Sequence, residues 1–272
     1  MIAPFWFRAL RSLATMALVL WLILPLIPLA IWSFAKGWRF PALLPQEFTL
    51  HPWHIALSDR AGVLDSLWIT GAIAITATLL AILIGVPAGR VLGQHRFRGK
   101  SAVQALFLAP LIVPGLATAL GLHAVFLRLG LTNTVPGVIL VHLIPTLPYM
   151  IIIMTGIFAN HDPSHEGQAR SLGATPWQTF RHITLPAILP GIIAGGLFCF
   201  LVSWSQYILT LLIGGGRIQT LPLLLFSFAI SGRNDLTGAI AIIYILPGIV
   251  ILILTAHHIT GTHPALAAIA RR

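Results

Sequence analysis

The sequence predicts an all-α membrane protein of six transmembrane helices, with a cytoplasmic helical elbow between the fourth and fifth. Three observations carry that prediction. Of 272 residues, 57% are hydrophobic and only 8% charged, too few charges to keep a water-facing surface dissolved, so lipid must cover part of the chain. Six charge-free runs are each long enough to cross a bilayer. Lysine and arginine gather on one side of those runs.

The runs are 12–35, 66–89, 101–127, 129–161, 182–216 and 236–270. The first two hold 24 residues each, and roughly 20 apolar residues suffice for one crossing. The last two hold 35 each, too few for two helices of roughly 20 plus a turn. Breakers also sit at their ends, Pro186, Pro190 and Gly214 to Gly216 in one and Gly261 to Pro264 in the other. The first run exceeds the roughly 7–15 residues of a signal peptide's apolar region, so it reads as an anchor. Residues 1–60 are therefore an anchor helix and outer linker. Residues 61–272 are the core, with spans near 66–89, 102–127, 137–159, 187–213 and 238–260.

Six spans put both termini on one side. With that side inside, ten of the sixteen basic residues are internal, and Arg90, Arg96, Arg98 and Lys100 share one short loop, where the positive-inside rule is strongest. Both ends are expected in the cytoplasm. The net charge of +10 follows from this edge placement; the basic residues form no stripe with interleaved aromatics, which speaks against nucleic acid. Cys199, the single cysteine, can form no internal disulfide.

Several patterns imitate chemistry. Gly93 to Ser101 resembles a phosphate loop, but five residues separate its glycines where four are required, and the residues between are bulky. His161 and His165 have the spacing of helical metal ligands beside Glu166, yet Pro163 intervenes and further ligands are missing, so no metal is expected. No nucleophile triad or paired carboxylate is visible among six scattered acidic residues, which argues against an enzyme. Gly85-x-x-x-Gly89 and Gly191-x-x-x-Gly195 allow close helix approach. His123 and His142 are expected near the outer membrane interface. Ser203, Ser205, Gln206 and Tyr207 fall near the middle of the fifth span, where a lipid-exposed amide is costly, so they are expected to line a translocation path. An ATP-independent secondary transporter or channel would need ionisable groups within the spans, and only histidines are there.

The segment from Asp162 to Pro186 reads as a compact elbow. Asp162 and Pro163 start a short helix, Gly173 stops it, a second turn begins at Pro176, and Leu185-Pro186 enters the next span. Leu172, Trp177 and Phe180 have no visible internal core to bury them and are expected to face a partner.

This elbow resembles the permease family of type I ABC importers, the binding-protein-dependent inner-membrane components. Their signature is Glu-Ala-Ala, three residues, Gly, nine residues, Ile-x-Leu-Pro. Ile183, Leu185 and Pro186 set the register, and Gly173 takes the glycine position. The Glu-Ala-Ala positions fall on Gly167, Gln168 and Ala169, of which only Ala169 matches; Glu166 stands one residue early. Arg170-Ser171-Leu172-Gly173-Ala174 also looks like the family, and Gly214 to Pro222 looks like its polyamine, thiamine, iron(III) and phosphonate branch. The resemblance implies a bacterial cytoplasmic-membrane complex with a second permease subunit, identical or homologous. It also implies cytoplasmic ATPase subunits that bind the ATP, an extracytoplasmic solute-binding protein, and no cofactor on this chain. ATPase coupling is then expected at Glu166, Ala169, Leu172, Gly173, Ala174, Trp177, Phe180, Ile183, Leu185 and Pro186.

Overall fold

The computed structural model of the chain describes residues 5–38, 42 and 45–260. Arg39, Pro41, the breaker segment Gly261 to Pro264, Arg271 and Arg272 lie outside them. The helices in order are α1 (Phe5–Ile23), α2 (Leu26–Phe34), α3 (His51–Ala56), α4 (Val63–Gln94), α5 (Lys100–Ile112), α6 (Gly115–Arg128) and α7 (Val135–Ala159). There follow α8 (Ser164–Ser171), α9 (Pro176–Thr179), α10 (Leu185–Trp204), α11 (Ile208–Gly214), α12 (Leu221–Ile230) and α13 (Asn234–Thr260). Among the described residues the only extended pairing is one isolated bridge, Ala35 to Phe48, so the fold is all-α.

Four helices are long and apolar enough to cross a bilayer: α4, α7, the continuous rod Pro176–Trp204, and α13. The total reaches six when each of two bent pairs counts as one span. One pair is α1 with α2, bent by 43°. The other is α5 with α6, whose axes meet at 105°, so the straight crossing expected over 102–127 is replaced by a sharply broken one. Pro25 and Pro114 stand at the two breaks, where the missing N–H and the ring prevent the helix from continuing. The fifth span also departs from expectation, because α10 ends at Trp204 and α11 resumes at Ile208. The segment between Arg217 and Arg233, read as an outer loop, contains the ten-residue apolar helix α12.

The chain divides into two compact units. The first combines the N-terminal residues through Asp65 with Leu224–Leu246. In it α13 crosses α2 so closely that a Cβ on Gly238 would lie 2.5 Å from the Leu29 carbonyl oxygen. The linker is pinned by an exposed Lys36–Glu47 ion pair at 2.8 Å.

The second unit, Ser66–Leu223 with Pro247 onward, carries both candidate sites. Apolar burial drives helices together weakly in lipid, because the tails are as apolar as leucine, so close contact of small residues must do it. Three glycines one turn apart on α4 meet three large side chains one turn apart on α7. A Cβ on Gly85, Gly89 or Gly93 would fall within 2.8 Å of Met150, Met154 or Phe158 respectively. From the other side Gly195 meets Met150, and Gly191 meets Ile157 and Met154. The two small-residue patterns in the sequence thus serve one three-helix seam. Gly93, the first glycine of the false phosphate loop, packs into it. A second cluster, including Ile73, Phe126, Val141, Leu209 and Ile213, joins α4, α6, α7 and α11.

Candidate functional site

The elbow is built by local hydrogen bonds that the sequence dictates. The Asp162 carboxylate accepts from the Ser164 backbone N–H at 2.9 Å and from its hydroxyl at 2.7 Å, which starts α8. These bonds hold the Asp162 carboxyl below the usual carboxylate range. At the other end Gly173 has φ +91. Its N–H bonds the Arg170 carbonyl while the Ala174 N–H bonds the Ala169 carbonyl, the paired closure of a Schellman motif. The signature residues Ala169, Gly173 and Ala174 therefore form one helix stop. Thr175 and Gln178 then make a reciprocal capping box that opens α9.

Phe180 to Thr184 form a wide π turn, and the helix runs on without interruption through Leu185 and Pro186 to Trp204. The second arm of the elbow is thus the end of the span itself. Leu172 is 89% exposed, Trp177 66% and Phe180 37%. The Trp177 and Phe180 rings lie 5.8 Å apart, so they form one apolar surface, and Leu172 adds a second exposed apolar group on the elbow. Ile183 and Leu185 are half-buried, as are Ala169 and Ala174, and Pro186 is exposed.

Glu166, one of the residues at which ATPase coupling is expected, is 6% exposed. Its Oε2 accepts from Arg90 Nη2 at 2.7 Å and its Oε1 from the Thr184 hydroxyl at 2.8 Å. His161 Nε2 lies 3.5 Å from Oε1, and the Arg90 guanidinium sits 5.8 Å above the Phe158 ring. Burial opposes the carboxylate's charge, but the bonds from Thr184 and Arg90 outweigh it and hold the carboxyl below its usual range. One side chain therefore ties the first arm of the elbow to α4 and to the span that follows. Sequence reading missed Arg90 because it ended the second span at that charge, whereas α4 continues to Gln94.

The polar residues of the fifth span separate into two groups. Ser205, Gln206 and Tyr207 occupy the break between α10 and α11 and line a cavity of about 310 Å³. Pro110, Gly115 and Thr118 line its other side, from the broken pair α5 and α6. The cavity thus lies between two helix breaks, the kind of place where irregular backbone is tolerated at membrane depth. Ser203 is not on it. It is buried and bonds His142 Nδ1 at 2.8 Å, while His142 Nε2 bonds the Thr210 hydroxyl at 2.9 Å. His142 is only 1% exposed, so its ring faces protein. Its two hydroxyl partners, 61 and 68 residues away, are what make an imidazole affordable inside the bundle.

Against known proteins, the model of the family described as binding-protein-dependent transport system inner membrane component matches residues 81–261, more than half the chain. The spermidine/putrescine transport system permease protein PotC of Haemophilus influenzae is 27% identical over 246 residues, 90% of this chain and 95% of PotC. The putrescine transport system permease protein PotI of Escherichia coli is 31% identical over 196 residues, 70% of each. In fold, the chain is similar to a solved bacterial ABC transporter involved in the import of the acidic polysaccharide alginate. The TM-score is 0.70 at 19% identity, with 92% of this chain and 95% of that one covered.

Proposed function

We propose, from the premise that this chain belongs to the family of binding-protein-dependent transport system inner membrane components, that its elbow is the dock for a separate cytoplasmic ATPase chain. The chain is a permease subunit of an ABC importer. With a second permease subunit, identical or homologous, it forms the path for a small polar solute delivered by an extracytoplasmic binding protein. ATP is bound and hydrolysed on the partner chain.

The observation that supports this most directly is the exposure of Leu172, Trp177 and Phe180 on an elbow otherwise braced from within. Burying a fully exposed large apolar side chain contributes roughly 1.5–3 kcal/mol, so Leu172 and Trp177, with a smaller share from the partly covered Phe180, favour a bound subunit. Purification of the tagged full-length chain should retain an ATPase subunit bearing a complete phosphate loop. Replacing both Leu172 and Trp177 by aspartate should release it while the permease still inserts. Retention by the double variant would move the dock elsewhere.

The relatives' names point to polyamines as a solute class. The cavity lining offers such a cation the Tyr207 ring and the Gln206 amide oxygen, without a carboxylate among its residues. Both termini are placed in the cytoplasm on the bias of basic residues. Reporter fusions at positions 97 and 170 should then read inside, and fusions at 48 and 232 outside. An outside signal at 170 would remove the elbow from reach of ATP.

A further inference from the structure

We infer that His142 is a positioning residue that holds the fifth span broken at residues 205–207, and thereby sets the face that Gln206 presents to the cavity. The functional weight of this inference rests on the reading of that cavity as the solute path.

Within the break the Ser205 hydroxyl donates to the Val202 carbonyl at 3.3 Å, a local bond that bends helices only slightly. Trp204, Ser205, Gln206, Tyr207 and Ile208 include neither proline nor glycine, the usual origins of a helix interruption. A continuous helix would satisfy the backbone groups of this segment by itself, which is the favoured arrangement at membrane depth. A contact from outside the segment that bridges the break adds what that local bond does not supply. His142, on α7, bonds Ser203 in α10 with one ring nitrogen and Thr210 in α11 with the other. The two partners stand on opposite sides of the break.

The hydrogen bonds also have one consistent polarity. The Thr210 hydroxyl donates to the Gln206 carbonyl at 3.2 Å, so it accepts from His142 Nε2–H. That leaves Nδ1 as the acceptor for the Ser203 hydroxyl, and the neutral Nε2–H tautomer satisfies every group. The series ends on the carbonyl of Gln206, the residue at the middle of the break. Its anchor is firm, because α7 is clasped between the glycines of α4 and α10.

The test uses the assembled transporter carrying Cys199→Ser and Gln206→Cys, with the rate of labelling at 206 by a water-soluble maleimide as the readout. Loss of two interhelical hydrogen bonds favours rejoining of the helix, so His142→Leu should slow labelling about tenfold. His142→Gln, whose amide both accepts and donates, should restore the wild-type rate. Thr210→Val, which keeps the shape and removes one bond, should slow labelling about threefold. Unchanged or faster labelling in His142→Leu overturns the inference; should that variant fail to assemble, the same result in Thr210→Val does so. Solute uptake by Gln206→Leu separates the two readings. Wild-type uptake there would overturn the cavity as solute path, while the labelling results would still decide the role of His142.

Discussion

Replacing Gly173 by valine is expected to abolish most solute-stimulated ATP hydrolysis in the reconstituted complex while the permease still inserts. At φ +91 the backbone lies where a side chain is disfavoured and a β-branched one most of all. Holding a non-glycine residue in such a region costs roughly 1–3 kcal/mol. Beyond the two adjoining residues, nothing lies within 4 Å of the position a Cβ would take, so the loss is conformational and acts on the Schellman closure. Once it opens, α8 is no longer stopped at Leu172, and the placement of Leu172 relative to α9 is lost. Association with the ATPase should then fall roughly ten- to a hundredfold. Gly173→Asn, which tolerates the left-handed region better, should keep a measurable fraction of coupling. Wild-type association and stimulated hydrolysis in the valine protein would exclude the helix stop from the coupling path.

Glu166→Ala should produce the second large effect, though its carboxylate does not reach the exposed surface. Truncation deprives Arg90 and Thr184 of their acceptor at once. A hydrogen bond to a charged group contributes about 1.5–3 kcal/mol, less here on the Arg90 side because that guanidinium is 38% exposed. The detergent-solubilised chain should lose thermal stability, and stimulated hydrolysis should fall by about tenfold, as expected for an elbow untied from α4. Glu166→Gln keeps an oxygen for Thr184 and should lie between the two. Arg90→Ala made in the Glu166→Ala background should add little, because the pair acts as one unit. Full additivity of the two substitutions would show that they do not act through each other.

The elbow was legible in the sequence because its stops and starts are local. Asp162, Gly173, Thr175 and Pro176 act on backbone groups within a few residues, and spacing alone reports them. The apolar surface was legible for a related reason, since no short helix of that composition can bury Leu172, Trp177 and Phe180 on itself. Charge-free run lengths located the long helices but not their interruptions. Pro114 turns α5 into α6 by 105°, whereas Pro87, Pro145, Pro148, Pro190 and Pro247 lie inside helices that continue. Whether a proline breaks a helix or is absorbed depends on neighbours that free backbone groups can find. The partners of Glu166 and His142 were illegible because they are far along the chain. Arg90 is 76 residues from Glu166 and Thr210 is 68 from His142. The glycine-clasped helices α4 and α7 carry Arg90 and His142, and the fold brings Glu166 of α8 and Thr210 of α11 to them.

The uninterrupted rod from Pro176 to Trp204 has the geometry of a lever. Its 29 residues span about 43 Å at roughly 1.5 Å per residue, with the apolar docking surface at one end and the broken segment at the other. If the rod pivots at its docked end, a tilt of about 5° carries the far end through about 4 Å, more than the diameter of a water molecule. On the proposed docking at Trp177, a small shift there would be enlarged at Gln206, and the stroke of the motor would be much shorter than the displacement it produces beside the cavity.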